Sequence, residues 1–366
     1  MKFSSLQAML GLAAPAAGGY WRQAHGKQIH YSSMGGYFVQ DDPKTDAKGF
    51  DYAQHNFGLI DRKYPTDATF DPHSIKSQWE RFGEWVRHLN GGCQASQDVQ
   101  YKVIFFGRHG QGYHNVAESF YGTPAWNCYW AELEGNGTIT WADPLLTPAG
   151  LRESEKANAF YKTLYEQQKM PHFESYYTSP LKRCLETANS TFASLEMPAQ
   201  HPFVPVITEL FREDIGIHTC DRRSSKSEIA EFMPGWTFEA GFTEKDHLWR
   251  QHEGETPEHQ LARSKKVLDR VFSHDDSTWI SVTSHSGEIS ALLKVLNHRP
   301  FALSTGQIIP VLVKAEVMAS MPPVPTTTSF AKFTPEATCK QPPVTSLANG
   351  GCVCSSSTSS IPTPTA

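Results

Sequence analysis

The sequence predicts an α/β protein, a three-layer α/β/α sandwich with a mostly parallel central sheet. Two observations carry this prediction. From residue 101 onward, short apolar runs typical of buried strands alternate with longer segments of helical periodicity. Several of these runs are followed directly by Arg, His or Glu. The carboxyl ends of parallel strands meet at one edge of a sheet, which is where such folds bind ligands.

The composition excludes several classes of protein. Apolar residues make up 39% of the 366 residues, which is enough for a sizeable core. The net charge of −5 argues against a nucleic-acid partner. The sequence has no apolar run of about 20 residues that would span a membrane. Seven cysteines are too few for a disulfide scaffold.

The N-terminus has the features of a signal peptide at 1–19. Lys2 precedes a short apolar run, and Ala14-Pro15-Ala16 has the A-x-A form of a cleavage site. A frayed Ala/Gly-rich terminus is the alternative. We therefore expect an extracellular or secretory-pathway protein, with the cytoplasm as the alternative, and the sequons at Asn136 and Asn189 are candidate glycosylation sites.

The C-terminal segment 318–366 is predicted to be a disordered tail. Pro, Ser and Thr supply 25 of its 49 residues, so it buries too little apolar area to offset its ordering entropy. Cys352 and Cys354 are expected to be a solvent-exposed pair within it.

The folded part is expected to contain an N-terminal extension, 20–95, packed on a main domain, 96–317. The extension ends in a helix over 77–89. The predicted elements of the main domain, in order, are a strand at 101–107, helices at 112–121 and 146–168, a strand at 175–179, a helix from Pro180, a strand at 205–211, a helix at 257–272, a strand at 278–284, a helix from His285 and a strand at 308–317. Thr147 is the expected N-cap before Pro148, and Pro310 favours a sheet edge for the last strand.

Four segments beyond the strand ends predict the site. They carry Arg108 with His109, then Arg183, Glu213 and His285. Arginine forks match phosphoryl oxygens, an imidazole can attack phosphorus, and a carboxylic acid can protonate the leaving oxygen. The arginines supply the positive charge, so we expect no metal and no cofactor, and a small-molecule phosphomonoester as substrate.

These residues resemble the motifs of the histidine phosphatase superfamily, branch 1, with its phosphoglycerate-mutase-like fold. GRHGQGYHN (107–115) is similar to its R-H-G signature, in which an Asn follows five residues after the Gly. LTPAG (146–150), TSPLKRCLETA (178–188) and VTSHSGEI (282–289) resemble further family segments in the family's order. The exact residues in and around these motifs are most similar to those of fungal phosphoglycerate-mutase family proteins.

The resemblance implies a role for each matching residue. His109 is the nucleophile, and Arg108, Asn115, Arg183 and His285 form the phosphate pocket, with His285 also counted as catalytic. LFRE (210–213) matches the family's acidic element, so Glu213 is the expected general acid and Glu209 the alternative. Ser286 stands where the family has Gly.

The resemblance leaves three functions open. The first is a metal-independent phosphomonoester hydrolase with a phosphohistidine intermediate. The second is a mutase that returns the phosphoryl group to a phosphoglycerate, and the third is a non-catalytic phospho-ligand-binding module. His114, His218, Arg222 and Arg223 are interpreted as either substrate contacts or ordinary packing and surface residues. Cys184 and Cys220 are expected to pack or to form half of a disulfide, and not to act as nucleophiles.

Overall fold

A computed structural model describes residues 27–91, 98–319, 332–344 and 352–354. The signal peptide expected at 1–19 lies outside these residues. The strands are β1 (Lys27–Ser33), β2 (Val99–Arg108), β3 (Ser175–Thr178), β4 (Val206–Ile207), β5 (Thr237–Phe238), β6 (Glu253–Glu255), β7 (Trp279–Ser284), β8 (Ile308–Ala319) and β9 (Phe333–Pro335). The helices are α1 (Asp67–Phe70), α2 (Gln78–Gly91), α3 (Tyr113–Tyr121), α4 (Thr123–Cys128), α5 (Pro148–Gln167), α6 (Lys182–Phe192), α7 (Lys226–Phe232), α8 (Pro257–His274) and α9 (Ser286–Val295).

Seven of the described strands form one mixed sheet in the order β1-β8-β2-β7-β3-β4-β5. The pairs from β2 through β7, β3 and β4 to β5 are parallel, whereas β8 is antiparallel to both of its neighbours. The prediction of a mostly parallel sheet is therefore confirmed. Among the described residues, no helix is long and apolar enough to cross a bilayer.

Strand β2 separates two apolar layers, because successive side chains point to opposite faces. Val103 and Phe105 pack in the cluster that holds the buried residues of α2 and α5. Ile104 and Phe106 pack in the cluster formed with α8 and α9. Helices thus cover both faces, which confirms the three-layer sandwich.

Residues 27–91 contribute both to the sheet and to one of these layers. β1 pairs with β8 along its whole length. Phe57 and Trp79 are fully buried, and Phe57 meets Phe105 of β2 edge to face with ring centroids 5.0 Å apart. This extension therefore completes the apolar layer on the α2 and α5 side.

The expectation that Pro310 marks a sheet edge is wrong for β8, which lies between β1 and β2. The partners of β1 run from Val313 to Ala319, and Pro310 lies opposite Phe105 on the other neighbour. Pro310 is thus outside the stretch that β1 covers, where a missing N–H costs no ladder hydrogen bond on that side.

The strand predicted at 205–211 is shorter than expected. β4 holds only Val206–Ile207, and Glu209–Phe211 forms a 3-10 turn. The turn brings Arg212 inward, where it is fully buried and ion-paired to Asp246 and Glu209, both at 2.8 Å. A buried charge needs such partners, so tertiary contacts end the strand early.

The C-terminal segment departs from the expectation of a tail without structure at 332–344 and 352–354. β9 pairs antiparallel with β6. Disulfides join Cys352 to Cys128 of α4 and Cys354 to Cys339. The two tail cysteines are thus not a free pair, because each bonds to a residue outside the C-x-C motif. The other residues beyond 319 lie outside the described part of the chain.

Candidate active site

Two neighbouring parallel strands bring the two predicted histidines together. Arg108 at the end of β2 lies opposite Ser284 at the end of β7. The N–H of His109 donates to the carbonyl of Ser284 at 3.0 Å, and His285 is the next residue in the chain. The ring centroids of His109 and His285 are consequently 5.1 Å apart.

The surroundings of His109 determine its protonation state and its tautomer. The side chain is 1% exposed, and its burial, together with the charges of Arg183 and Arg108, lowers its pKa well below the ordinary value. Nδ1 lies 2.7 Å from the carbonyl oxygen of Gly110. A carbonyl only accepts hydrogen bonds, so Nδ1 carries the proton. The neutral ring therefore keeps the Nε2 lone pair free to attack an electrophile.

The loop after His109 lies directly against the start of α5. A Cβ on Gly110 would be 2.4 Å from the carbonyl oxygen of Gly150, so only glycine fits without a backbone shift. Thr147 caps α5 by accepting the N–H of Gly150, and its hydroxyl donates to Gln111 Oε1 at 2.8 Å. The predicted N-cap thus also fixes the loop that carries the histidine.

Two guanidinium groups, of which Arg183 is buried and Arg108 is half-buried, flank the histidines. Arg183 of α6 is 1% exposed and donates to the carbonyl of Cys220 at 2.7 Å. Arg108 donates to the carbonyl of Leu303 at 2.8 Å. The Nε atoms of both arginines are buried without a partner in the described part of the chain. Leaving a buried donor unpaired is costly, so these groups fit a site that an anion such as a phosphoryl group occupies.

His285 lies at the N-cap position of α9 and is fully buried. Its Nε2 is 2.8 Å from Ser179 Oγ and 3.3 Å from Cys184 Sγ. Burial, followed by the charges of Arg183 and His109, lowers its pKa well below the usual range. Burial and these nearby charges therefore favour a neutral imidazole for His285 beside His109.

Glu213, the expected acid, lies at the N-terminus of α9. Its carboxylate accepts the N–H groups of Glu288 at 3.0 Å and of Gly287 at 3.3 Å. A Cβ on Gly287 would lie 2.3 Å from Glu213 Oε1. A larger residue at 287, one position after Ser286, would therefore displace this carboxylate from its place at the start of α9.

The alternative acid, Glu209, lies elsewhere. Its carboxylate pairs with Arg212 at 2.8 Å and with Arg223 at 2.9 Å. Both guanidinium groups are fully buried, so Glu209 neutralises structural charge. Of the two candidates, Glu213 is the one that lines the cavity described next.

A cavity of about 440 Å³ opens over these groups. The predicted residues among its lining are Arg108, His109, Asn115, Arg183 and Glu213. The other lining residues are His114, Glu118, Trp126, Asn127, Asp214, Gly216, His218, Cys220, Asp221, Ser286, Gly287 and Glu336. The structure thus brings five of the six predicted site residues to one cavity. The sixth, His285, is not part of the lining, and its ring centroid lies 5.1 Å from that of His109.

Asn115 has a structural role at the edge of the cavity. Its Oδ1 accepts the N–H of Gly112 at 2.9 Å, which closes the first turn of α3. The side-chain oxygen is thus occupied by the backbone, and the amide nitrogen is the part of Asn115 that can donate to a phosphoryl oxygen.

Sequence reasoning left His114 undecided and did not single out Asp221. His114 is the second residue of α3, and its ring centroid lies 5.3 Å from that of His109. Asp221 lies 3.8 Å from Arg183, and burial, which outweighs that attraction, raises its pKa to about 7. The helix that carries His114 begins only four residues after His109, and this short separation is the signal that could have identified His114.

Of the other undecided residues, His218 lines the cavity, whereas the two arginines are packing and surface groups. Arg222 pairs with exposed Glu134 at 2.8 Å, and Arg223 is buried in the ion pair with Glu209. Neither arginine lines the cavity. Cys184 and Cys220 are buried free thiols, in agreement with the packing interpretation.

One group of side chains has the spacing of a metal site. His218, Cys220 and Asp221 offer ligand atoms within 4.8 Å of one another. Burial, followed by the charge of Asp221, raises the pKa of the Cys220 thiol well above its ordinary value. Metals bind the thiolate, so this group suits a metal poorly. The similar group of Cys128, Cys339 and Cys352 is already bonded in disulfides.

Comparison with known proteins gives consistent matches. The family model of the histidine phosphatase superfamily, branch 1, matches residues 104–307. A protein of Arthroderma benhamiae described as a "Probable phosphoglycerate mutase" is 49% identical over 297 residues, covering 81% of this chain and 88% of that protein. The "Phosphomutase-like protein 3" of Candida albicans is 35% identical over 78% of this chain and 80% of its own. A Saccharomyces cerevisiae protein, again described as a probable phosphoglycerate mutase, is 32% identical over 64% and 85%.

Proposed function

The chain belongs to the histidine phosphatase superfamily, branch 1, and on that premise we propose that it is a metal-independent phosphomonoester hydrolase. The observation that carries the proposal is the state of His109. Its Nδ1 proton is directed to the carbonyl of Gly110, and its lowered pKa keeps Nε2 unprotonated beside Arg108 and Arg183.

The first half-reaction transfers the phosphoryl group to His109. The Nε2 lone pair forms a bond to phosphorus while the bond from phosphorus to the ester oxygen breaks. Arg108 and Arg183 hold the non-bridging oxygens as charge spreads over them. Protonated Glu213 gives its proton to the leaving oxygen, so the alcohol departs neutral.

The second half-reaction restores the enzyme. Glu213, now a carboxylate, takes a proton from a water molecule as that water attacks the phosphohistidine. The bond between nitrogen and phosphorus breaks, inorganic phosphate leaves and the lone pair returns to Nε2. The proton on Nδ1 stays directed to Gly110 throughout, so the ring needs no change of tautomer.

Hydrolysis of an aryl phosphate in the presence of EDTA tests the proposal. We expect the parent protein to be active, because guanidinium groups supply the positive charge. His109→Ala should lose about 10³-fold or more in kcat, as expected when a nucleophile is removed. The matched control is His274→Ala, an exposed histidine at the end of α8, which should keep parental activity.

Rapid quenching distinguishes a catalyst from a binding module. The parent should retain an acid-labile phosphate that His109→Ala lacks. An inactive parent, or activity that EDTA abolishes and added metal restores, would contradict the proposal.

A mutase remains the second candidate, because the Arthroderma relative is described as a probable phosphoglycerate mutase. Such an enzyme would interconvert phosphoglycerates and release little phosphate. Measuring phosphoglycerate isomerisation and phosphate release in the same sample separates the two activities.

We further propose that the protein is made in the secretory pathway. The disulfides Cys128–Cys352 and Cys339–Cys354 support this, since disulfides persist in oxidising compartments. The asparagines of both sequons, Asn136 in a turn and Asn189 on α6, are exposed. A mobility shift on glycosidase treatment, lost when both are changed to glutamine, is the expected result, and an unmodified intracellular protein would contradict it.

A further inference from the structure

The C-terminal strap, defined here as residues 332–344 and 352–354, is fastened beside the catalytic cavity. The Cys128–Cys352 disulfide ties it to the last residue of α4, and the N–H of Cys339 donates to the carbonyl of Cys128 at 2.8 Å. At its other end, β9 pairs with β6. Trp126, two residues before Cys128, lines the cavity. The disulfide therefore attaches the strap to a helix that forms part of the cavity wall.

The strap contributes one residue to the cavity, Glu336. Its N–H donates to the carbonyl of His252 at 3.1 Å, which continues the β6–β9 pairing by one residue. The side chain is exposed and lines the cavity. Among the described residues, neither Glu336 nor Glu118, another glutamate of the cavity lining, forms an ion pair with Lys or Arg, and Glu118 accepts the Thr123 hydroxyl at 2.9 Å.

The cavity lining carries charges of both signs. Arg108 and Arg183 provide the basic end, where the phosphoryl group binds. Glu336 and Glu118 are the carboxylates that act most strongly on His218, yet burial still lowers the pKa of that histidine. A neutral imidazole leaves Glu336 without a positive partner among the described residues, whereas Glu118 also acts on Arg108. Glu336 is therefore the carboxylate of the cavity lining that is free to attract a cation.

Buried polar atoms of the cavity lining also point to a bound ligand. Nδ1 of His114 and Nε of Arg183 have no partner among the described residues. Their side chains are 8% and 1% exposed. A phosphoryl group held by Arg108 and Arg183 would satisfy the Arg183 donor, and the rest of the ligand would share the cavity with Glu118 and Glu336.

We infer that the leaving group of the substrate is positively charged, as in the phosphomonoester of an amino alcohol, and that Glu336 on the strap selects it. This inference rests on the proposed function. Attraction to Glu336 and Glu118 favours an ammonium group, whereas a second anion, as in a phosphoglycerate, is repelled by the same carboxylates. The strap is then a specificity element outside the catalytic core.

The experiment compares three ligands of similar length on the full-length His109→Ala protein, which cannot turn them over. They are O-phosphoethanolamine, ethyl phosphate and phosphoglycolate, whose distal ends are cationic, apolar and anionic. We expect calorimetry to give a dissociation constant about tenfold lower for O-phosphoethanolamine than for phosphoglycolate, with ethyl phosphate between them. Adding Glu336→Gln should reduce that ratio to about threefold or less, since one of two carboxylates is removed.

The matched control is Glu253→Gln on the paired strand β6. Glu253 pairs with Arg250 and does not line the cavity, so this change should leave the ratio intact. Equal binding of the three ligands, a preference for phosphoglycolate, or a ratio unchanged by Glu336→Gln would overturn the inference while phosphate still binds. Failure of both inorganic phosphate and ethyl phosphate to bind would overturn the proposed function and the inference with it.

Discussion

The buried imidazoles of His109 and His285 differ in the atoms that hold them. Nδ1 of His109 faces a carbonyl, which fixes its proton and frees Nε2. Nε2 of His285 faces the hydroxyl of Ser179 instead, so its ring is held from the nitrogen that His109 leaves free. These different surroundings are compatible with the proposed roles of His109 as the nucleophile and of His285 as a member of the phosphate pocket.

The two candidates for the general acid, Glu213 and Glu209, give a prediction at the scale of single residues. Glu213→Gln should lower kcat on an alkyl phosphate by about 10²–10⁴-fold, because the leaving alkoxide loses its proton donor. Glu209→Gln should leave kcat close to that of the parent and lower the free energy of unfolding by about 1–3 kcal/mol, because two buried arginines lose a charged partner. Steady-state kinetics and urea unfolding measure both effects, and loss of turnover in Glu209→Gln alone would reverse the assignment.

The buried histidines also predict how stability depends on pH. Burial lowers the folded-state pKa of His114 well below the ordinary 6.5, so the unfolded chain binds more protons as the pH falls below that value. The stability that the neutral ring contributes is fully present above pH 6.5 and is lost on acidification. His114→Gln should therefore reduce the slope of unfolding free energy against pH below 6.5 by about 1.4 kcal/mol per pH unit.

Comparing the variant with its parent cancels the opposing effect of carboxyls such as Glu288, whose pKa burial raises to about 8. The exposed His274→Ala serves as the control and should keep the parental slope. A slope unchanged in His114→Gln would mean that the ring is protonated in the folded protein.

At the scale of elements, the start of α5 packs against the loop that follows His109, so a change at this contact should affect both stability and catalysis. Thr147 caps the helix and also binds Gln111 in that loop. Thr147→Ala should lower the free energy of unfolding by about 0.5–2 kcal/mol through loss of the cap, and kcat should fall as well because the loop loses a contact.

Thr163→Ala on the same helix is the matched control. Thr163 is exposed and bonds only to the carbonyl of Ala159 one turn earlier. Alanine has the higher helix propensity, so this variant should be at least as stable as the parent with unchanged kcat. A Thr147→Ala protein that loses stability but keeps full activity would show that the loop does not depend on the cap.

At the scale of the whole molecule, the two disulfides close loops of very different length. Cys128 and Cys352 are 224 residues apart, whereas Cys339 and Cys354 are 15 apart. In the chain-entropy model, the longer loop contributes about 2 kcal/mol more to stability. Replacing Cys128 and Cys352 with serine should therefore destabilise the protein more than replacing the other pair.

Urea unfolding of the two double variants measures this difference. Releasing Cys352 from α4 should also increase cleavage of the strap by a protease, whereas the sheet and its two apolar layers should stay protected. Equal stability of the two double variants would show that the strap detaches before the core unfolds.

Much of the architecture follows from local sequence patterns. The apolar run of β2, the cap at Thr147 and the periodicity of α8 are set by residues that are neighbours in the chain, so strands, helices and their alternation can be predicted from short windows. Parallel sheets bind ligands at the carboxyl ends of their strands, and this rule predicts that Arg108, His109 and His285 lie close together. The structure brings these residues together as that rule requires.

Other features depended on contacts between distant residues, and only the tertiary structure decided them. Pro310 suits the interior of the sheet because β1 stops short of it, and β4 is short because Arg212 needs buried carboxylates. The contacts of Glu213 and Glu209 in the folded protein decide which of them is the candidate general acid. The Cys128–Cys352 bond joins residues that no local sequence pattern connects. The sequence determined the elements and the chemistry of the strand ends, whereas long-range packing decided which charges meet, because pairing energies depend on distance in space and not along the chain.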